Sequence, residues 1–161
     1  MGGLSELEAV LRLSLAFLLG AVLGLERETH DRPAGLRTFI LVAVGSTLIM
    51  IVSIGLRDLY AGSTGVDPGR IAAQVVTGIG FLGAGTIMHE GPIVRGLTTA
   101  AGLWVVAAIG LAVGAGFYLV AAVTTALALV SLTVLAWVER SYFGGKGQVI
   151  VNVLSSDVPG Q

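Results

Sequence analysis

The sequence predicts an all-α membrane protein, a bundle of about five transmembrane helices followed by the first strand of a truncated α/β domain. Composition is the first reason, because hydrophobic residues make up 55% of the 161 residues and charged residues only 12%, against roughly 25% charged residues in soluble domains. The second is the recurrence of apolar segments that are about long enough to cross a bilayer. The third is glycine, whose 24 residues are about twice the usual share and favour close helix contacts in lipid.

Charge and cysteine content exclude several classes of function. The formal net charge is −1, so the chain has no basic surplus for binding nucleic acid. Cysteine is absent, which excludes disulfides, thiolate metal sites and a thiol nucleophile. The sequence shows no Ser/His/Asp arrangement and no paired acids in an apolar segment. We therefore expect no enzymatic activity and no cofactor, and only Mg²⁺ remains open as a ligand.

The first predicted helix covers residues 4–25. Its beginning is amphipathic, and Glu8 and Arg12 are spaced i, i+4 in the order that favours an ion pair. A cleavable signal peptide would need a basic beginning and a small-residue cleavage site, whereas this segment begins with acids, so we predict a retained helix. Gly20 and Gly24 form a GxxxG pair at which another helix can approach closely.

A compact polar loop, residues 26–37, separates the first helix from the second, which is predicted at residues 36–56. Its acids Glu26, Glu28 and Asp31 are weak candidates for binding Mg²⁺, which proteins hold through one or two carboxylates and several waters. Asp67, in the next loop, is a further weak candidate. Arginines balance the acids of the first loop, so a set of interfacial ion pairs is the favoured interpretation.

The third predicted helix, residues 70–88, is interpreted as the central helix of the bundle. Asp67 and Pro68 have the residue types of a helix cap and first helical position. The helical period places residues on two roughly opposite faces, the first with Arg70, Gln74, Gly78 and Gly85 and the second with Gly80 and Gly83. Small residues on both faces allow neighbours to approach from both sides. We therefore expect Gln74 to be turned toward protein and not toward lipid.

The fourth and fifth predicted helices cover residues 97–113 and 117–138. Arg95, Thr98 and Thr99 share one face at the beginning of the fourth helix and would line a polar entrance from the cytoplasmic side. Arg70 with Gln74 would line a second entrance from the outer side. Ionisable groups within or beside apolar spans are functional candidates by default.

Residues 4–142 are thus predicted as a five-helix transmembrane domain, and residues 143–161 as a linker with the first strand of a truncated cytoplasmic domain. The β-branched run at residues 148–154 is typical of a strand. An odd number of spans places the two ends on opposite sides, and the basic residues decide the orientation. One side receives Arg27, Arg32, Arg37, Arg95, Arg140 and Lys146, and the other Arg57 and Arg70. We predict the N-terminus outside and the C-terminus in the cytoplasm.

Several motifs resemble the MgtC/SapB family of bacterial inner-membrane proteins in order and spacing. They are Gly-Leu-Glu-Arg (24–27), Ala-Gly-Leu-Arg-Thr (34–38), Arg-Ile-Ala-Ala-Gln (70–74), Gly-Ile-Gly-Phe-Leu-Gly-Ala-Gly (78–85), Val-Arg-Gly-Leu-Thr-Thr-Ala-Ala (94–101) and Leu-Trp (103–104). The matching motif residues taken as candidate functional positions are Glu26, Arg27, Arg37, Thr38, Arg70, Gln74, Arg95, Thr98 and Thr99.

The resemblance implies a multi-pass protein of the bacterial inner membrane with a helical bundle and a cytoplasmic domain similar to the ACT fold. It also implies a link to magnesium homeostasis and virulence, since the founding member is tied to growth in low magnesium and to survival inside macrophages. That member was first taken for a magnesium transporter, and later regarded as a regulator that inhibits the rotary ATP synthase and perturbs phosphate uptake.

Two functions of different class remain open. The first is a non-enzymatic regulator that binds another membrane complex through helix faces, which glycine-rich surfaces favour. The second is a carrier of Mg²⁺ or another cation, with Glu26 and Asp67 at opposite mouths and Gln74 midway. The second is weakened because no acid lies at mid-membrane to hold a dehydrated ion. We also expect the chain to form a homodimer through a small-residue face.

Overall fold

The computed structural model describes residues 4–60, 67–90, 93–135, 137–138 and 141. These residues form five α-helices, a two-stranded antiparallel hairpin and a π-helical segment. The helices are α1 (Glu6–Thr29), α2 (Leu36–Leu59), α3 (Pro68–Gly85), α4 (Leu97–Gly114) and α5 (Tyr118–Val130), and the π-helical segment is Ser131–Leu135. The strands β1 (Met88–Glu90) and β2 (Ile93–Arg95) pair between α3 and α4. The predicted linker and strand at residues 143–161 lie outside the described residues.

Helix α1 is longer than its apolar segment. It begins at a Ser5 cap, whose hydroxyl accepts a hydrogen bond from the backbone N–H of Glu8 at 3.2 Å. It continues through Glu26–Thr29 until the N–H of His30 bonds back to the carbonyls of Arg27 and Glu28. The prediction that Glu26, Arg27 and Glu28 lie in a loop is therefore wrong. The last turn stays helical because charged residues at the membrane surface do not interrupt the backbone hydrogen bonds.

Helix α3 begins as the sequence predicts. The Asp67 side chain accepts a hydrogen bond from the backbone N–H of Gly69 at 2.8 Å, and Pro68 occupies the first helical position. Proline is favoured there because its missing N–H is one that a helix start leaves without an intrahelical partner. Asp67 thus has a structural role in capping α3.

Four helical segments of the described residues are long and apolar enough to cross a membrane. They are α1, α2, α4 and the continuous stretch Tyr118–Leu135 of α5 with its π-helical segment. Helix α3, counted as a fifth span from the sequence, is not among them, because Arg70, Gln74 and the glycines lower its hydropathy. The protein is mostly helical and built around these four candidate spans.

The centre of the bundle is formed by α2 and α4 and not by α3. Helix α2 packs against α1, α3 and α4, and α4 packs against α1, α2, α3 and α5. The most buried large side chains include Leu23 of α1, Phe39 of α2, and Leu103 and Val106 of α4. Of α3, only Ile79 and Gly83 are buried. The predicted central position of α3 is therefore wrong, and α3 lies at the edge of the bundle.

Glycines allow the central helices to approach closely. A Cβ atom at Gly20 of α1 would lie 2.9 Å from the Cβ of Ala43, and one at Gly24 would lie 2.8 Å from the Cα of Leu36. On α4, a Cβ at Gly110 would collide with the carbonyl oxygen of Ala43. These helices therefore pack backbone against backbone, which is the close approach that small residues permit in lipid.

The contacts define two ends of the bundle, which we call the Arg27 end and the Arg12 end. At the Arg27 end, Gly83 near the end of α3 lies beside Ala100 near the start of α4. At the Arg12 end, Ser53 of α2 donates a hydrogen bond to the carbonyl oxygen of Pro68 at 2.8 Å. Helix α3 therefore runs antiparallel to α2, from the Arg12 end to the Arg27 end.

Candidate functional site

A cavity of about 740 Å³ opens at the Arg27 end. It is enclosed by the last turn of α1 and the loop after it, by the β1–β2 hairpin, by the start of α4 and by the π-helical segment. Its polar lining consists of Arg27, Asp31, Arg32, Arg95, Thr98, Thr99 and Ser131. Segments far apart in the sequence thus bring three arginines and three hydroxyl groups to one place.

Arg27 is the most buried charged residue of this lining, with only 2% of its surface exposed. Its Nε donates to a carboxylate oxygen of Glu26 at 2.5 Å, and Glu26 is itself buried. His30 lies beside the same pair, with Nδ1 2.8 Å from the Glu26 carbonyl oxygen. A buried charge is tolerable only when it is paired and hydrogen-bonded, so Glu26 stabilises the charge that Arg27 presents to the cavity.

The start of α4 contributes backbone as well as side chains. Gly96 precedes the helix with a φ of 91°, a left-handed conformation that glycine adopts without strain. A side chain there would also collide with the carbonyl oxygen of Thr86. No side chain of the described residues caps this helix start. The first N–H groups of α4, which have no intrahelical acceptor, therefore lie in the cavity wall beside Thr98 and the buried Thr99.

The opposite wall is made by the π-helical segment Ser131–Leu135, which contributes Ser131, Leu132 and Leu135. A π-helical turn inside a longer helix is rare and is frequently found at functional sites. Sequence reasoning missed both Arg32 and Ser131 as lining residues. Arg32 belongs to the polar loop that folds over the cavity, whereas no local pattern in the sequence marks a π-helical turn.

The predicted functional residues do not all lie at one site. The structure brings Arg27, Arg95, Thr98 and Thr99 together at the cavity, with Glu26 behind Arg27. Arg37 and Thr38, at the start of α2, lie near the same end but do not line the cavity. Arg70 is exposed at the opposite end, in the first turn of α3.

Gln74 occupies a different surface. It is exposed in the single chain and lines a shallow apolar groove of about 520 Å³ between α2 and α3. The prediction that Gln74 is turned toward protein is therefore wrong for one chain. Cβ atoms at Gly78, Gly80 and Gly85 would meet nothing within 4 Å, and only Gly83 faces a neighbouring helix. Gly78, Gly80 and Gly85 thus lie at open positions of α3.

The carboxylates predicted as weak candidates for binding Mg²⁺ either have other hydrogen-bond or ion-pair partners or lie at different places in the bundle. A carboxylate oxygen of Glu28 accepts a hydrogen bond from the N–H of Leu36 at 3.0 Å and closes the loop before α2. Glu26 pairs with Arg27, Asp31 lies at the cavity, and Asp67 caps α3 at the opposite end. In the part of the chain that the structure describes, no group of three or more metal-ligating side chains forms.

Arg12 forms a separate polar cluster at the other end of the bundle. Its guanidinium donates to a carboxylate oxygen of Glu8 at 2.5 Å, to the Gly114 carbonyl oxygen at 2.5 Å and to the Tyr118 hydroxyl at 2.9 Å. The predicted ion pair of Glu8 with Arg12 is confirmed. The partners from α4 and α5 were not predicted, because nothing in the sequence shows that the turn between those helices reaches α1.

Comparison with known proteins identifies relatives across most of the chain. The model of the MgtC family matches residues 13–141. YhiD of Escherichia coli (strain K12) is 50% identical over 106 residues, which cover 65% of this chain and 49% of YhiD. SapB of Bacillus subtilis (strain 168) is 42% identical over 136 residues, which cover 83% of this chain and 59% of SapB.

A third relative is MgtC of Salmonella typhimurium (strain LT2), which is 53% identical over 103 residues, covering 63% of this chain and 41% of that protein. The chain spans about half the length of the curated relatives it matches. No solved structure matches the chain significantly.

Proposed function

The chain belongs to the MgtC family, and on that premise we propose that it is a non-enzymatic membrane regulator in magnesium homeostasis that binds other membrane machinery. The link to magnesium rests on the relatives, since YhiD is described as a candidate magnesium transporter. The family resemblance suggests two candidates for this machinery, which are the rotary ATP synthase and the proteins of phosphate uptake.

The open surface of α3 is the observation that carries this proposal. Gln74 and the glycines at 78 and 85 are exposed on one face of a helix that passes from one end of the bundle to the other. In hydrocarbon no water satisfies the Gln74 amide, and small residues allow a second helix to approach closely. The occupant that fits is a transmembrane helix of another protein that offers small residues and a hydrogen-bonding side chain.

The interior of the bundle argues against the alternative, a Mg²⁺ carrier. Between its two charged ends, the described core consists mainly of apolar side chains such as Phe39, Ala43 and Val106. The hydroxyl of Thr47, buried among them, donates to the Gly110 carbonyl oxygen at 2.7 Å. Mg²⁺ requires oxygen ligands or its own waters throughout its passage, whereas this core offers scattered hydroxyls, of which those of Thr47 and Thr125 are bonded to backbone carbonyls.

Flux through purified protein tests the regulator against the carrier. We expect liposomes that contain the chain and a trapped Mg²⁺-sensitive dye to take up Mg²⁺ no faster than empty liposomes. Uptake that requires the chain and is lost in the Glu26→Gln variant would establish a carrier and overturn the proposal.

Growth at limiting magnesium tests the α3 surface itself. In a strain whose growth at limiting magnesium depends on the chain, Gly78→Leu should abolish that growth because the leucine side chain blocks the approach of a partner helix. Gly55→Leu is the matched control, since Gly55 of α2 is also exposed and a Cβ there would meet nothing within 4 Å. Full growth with Gly78→Leu at equal membrane abundance would contradict the assignment.

A second copy of the chain is the competing occupant, and the homodimer predicted from the sequence stays a prediction. Because the chain lacks cysteine, Gly78→Cys places a single thiol on the α3 surface. We expect this variant to form no disulfide-linked dimer under mild oxidation in membranes. An efficient dimer through residue 78 would identify a second copy as the occupant and overturn the assignment of this surface to another protein.

The proposed location is the bacterial inner membrane, with the N-terminus outside and the C-terminus in the cytoplasm. The described basic residues support this orientation: Arg27, Arg32, Arg37 and Arg95 lie at the Arg27 end, and Arg12, Arg57 and Arg70 at the Arg12 end. Cytoplasmic loops carry the excess of arginine and lysine, so the Arg27 end is assigned to the cytoplasm.

A further inference from the structure

We propose that the Arg27 end binds one phospholipid with a zwitterionic headgroup, phosphatidylethanolamine, whose headgroup lies in the cavity and one of whose acyl chains enters an apolar pocket beside it. Two adjoining spaces in the bundle, one polar and one apolar, match the two parts of such a molecule. This site lies apart from the open surface of α3, and the inference does not depend on what binds there.

The apolar pocket has a volume of about 130 Å³ and lies between α4 and the stretch formed by α5 and the π-helical segment. Leu23 of α1 and Phe39 of α2 contribute to its wall, together with the small residues Ala101, Gly102 and Ala128. Protein interiors are close-packed, and an unfilled apolar void is destabilising. An apolar cavity of about 150 Å³ in another protein holds benzene, so this pocket accommodates several carbons of an acyl chain.

The apolar pocket and the cavity adjoin at the π-helical segment. Thr98, Ser131 and Leu132 line both spaces. The residues around the apolar pocket belong to the four candidate membrane spans, whereas the cavity lies at the end of the bundle. A phospholipid has the same order, with a polar headgroup followed directly by apolar chains, so one molecule can occupy both spaces.

The cavity contains nearly buried donors that lack an acceptor in the described part of the chain. Arg27 is 2% exposed, and among those residues only its Nε is hydrogen-bonded, to Glu26. Its two Nη groups are not enclosed by protein, since every fully buried side-chain nitrogen or oxygen described has a partner. The hydroxyl of Thr99, also 2% exposed, has no partner within the same residues. Such donors need acceptor oxygens, which the phosphate and ester groups of a phospholipid provide.

The charges of the cavity cancel, which favours a zwitterion over an anion. Arg27 is paired with Glu26, and Arg32 lines the cavity together with Asp31. Arg95 also lines it, but Arg95 already has an interaction partner and is not counted. Within the described residues, neither Asp31 nor Arg32 forms an ion pair. An ammonium group can therefore approach the Asp31 carboxylate while a phosphate group meets the guanidinium groups.

Native mass spectrometry of the full chain in a neutral detergent measures retention of phosphatidylethanolamine and of phosphatidylglycerol with the same acyl chains. Ala128→Leu fills the apolar pocket, and Ala126→Leu is its matched control because Ala126 is exposed on α5 outside the pocket. Asp31→Asn removes a negative charge from the cavity, and asparagine tolerates the φ of 50° at this position. Asp58→Asn, at the Arg12 end, is the control for that change of charge. The thermal unfolding midpoint of each variant without added lipid reports on folding.

We expect the unmodified chain to prefer phosphatidylethanolamine by roughly two- to fivefold, the range of an exposed ion pair. Asp31→Asn should abolish this preference, and Asp58→Asn should retain it. Ala128→Leu should weaken retention of both lipids more than about tenfold, because several methylenes lose their burial. Its unfolding midpoint should be unchanged or higher, because the leucine fills a void. Ala126→Leu should leave retention unchanged.

The proposal is overturned if phosphatidylglycerol is retained as well as phosphatidylethanolamine, or if the preference survives in Asp31→Asn. It is also overturned if Ala128→Leu retains lipid like the unmodified chain, or if Ala126→Leu weakens retention as much as Ala128→Leu does. Should Ala128→Leu fail to fold, the preference of the unmodified chain and its loss in Asp31→Asn still decide the question.

Discussion

At the scale of single residues, Arg12 shows how this chain accommodates a cation on an otherwise apolar helix. The residue is 9% exposed, yet its guanidinium has acceptors on α1, at the end of α4 and at the start of α5. The Gly114 carbonyl belongs to the last turn of α4, where a cation is favoured by the helix dipole. Arg12 therefore ties three helices together at one end of the bundle.

Replacement of Arg12 by leucine should destabilise the protein by about 2–3 kcal/mol, because it removes charge-assisted hydrogen bonds and leaves a buried carbonyl without its donor. Arg57→Leu is the control, since the pair of Arg57 with Asp58 is largely exposed and such pairs contribute about 0–1 kcal/mol. Unfolding of both variants in mild detergent measures the difference. Equal losses in the two variants would show that the Arg12 cluster does not stabilise the bundle.

At the scale of elements, the interface between α2 and α4 depends on glycine. Besides Gly110 against Ala43, a Cβ at Gly114 would lie 2.6 Å from the Cβ of Met50. The hydrogen bond from Thr47 to the Gly110 carbonyl forms at the point of closest approach. This pairing of a small residue with a buried hydroxyl is typical of helix association in membranes.

Gly110→Ala should therefore destabilise the bundle by about 1–3 kcal/mol, the usual effect of overpacking. The methyl group collides with backbone, which cannot move aside as a flexible side chain would. Gly55→Ala, at an open position of α2, should be neutral or stabilising by up to about 1 kcal/mol because alanine favours helix. Thermal unfolding in detergent compares the two, and a Gly110→Ala variant as stable as the unmodified chain would refute the close contact.

The sequence predicts the helices better than their arrangement. Apolar length and the capping residues Asp67 and Pro68 locate α2, α3 and α4 to within a few residues. The glycines of residues 78–85 indicate that close approach is permitted, but not which helix approaches, and this is why α3 was wrongly placed at the centre. The β1–β2 hairpin was not predicted because strands of three residues are too short to show alternation.

The candidate site was predictable only in part for a similar reason. Arg95, Thr98 and Thr99 are neighbours in sequence, so the helical period at the start of α4 is enough to place them on one face. Their meeting with Arg27 and Ser131 requires the end of α1, the start of α4 and the π-helical segment to lie at the same level, which no local spacing encodes. The burial of Arg27 follows from the extension of α1 beyond its apolar segment.

At the scale of the whole molecule, the bundle is polar at both ends and apolar in between. Five α-helices run alternately between these ends, although only four helical segments have the length and hydropathy of a candidate span. Helix α3 can cross the membrane despite its lower hydropathy if its polar side is covered by protein. The proposed partner helix and the orientation of the bundle are thus linked, since both require α3 to cross the membrane.

Cysteine accessibility tests the orientation and the passage of α3 together. The chain has no cysteine, so His30→Cys and Leu59→Cys each introduce one thiol, at exposed positions of the Arg27 end and the Arg12 end. A third variant, Met88→Cys, marks the far end of α3. In intact spheroplasts an impermeant maleimide should label only Leu59→Cys, and permeabilised membranes should label all three.

The labelling pattern distinguishes the proposed arrangement from an inverted orientation and from an α3 that does not cross the membrane. Labelling of His30→Cys and Met88→Cys but not Leu59→Cys in intact spheroplasts would invert the assigned orientation. Labelling of Met88→Cys together with Leu59→Cys would show that α3 returns to the side on which it begins, and the helix would then lie along the surface. In that case the Gln74 amide would be hydrated, and the physical reason for a partner helix in the membrane would be lost.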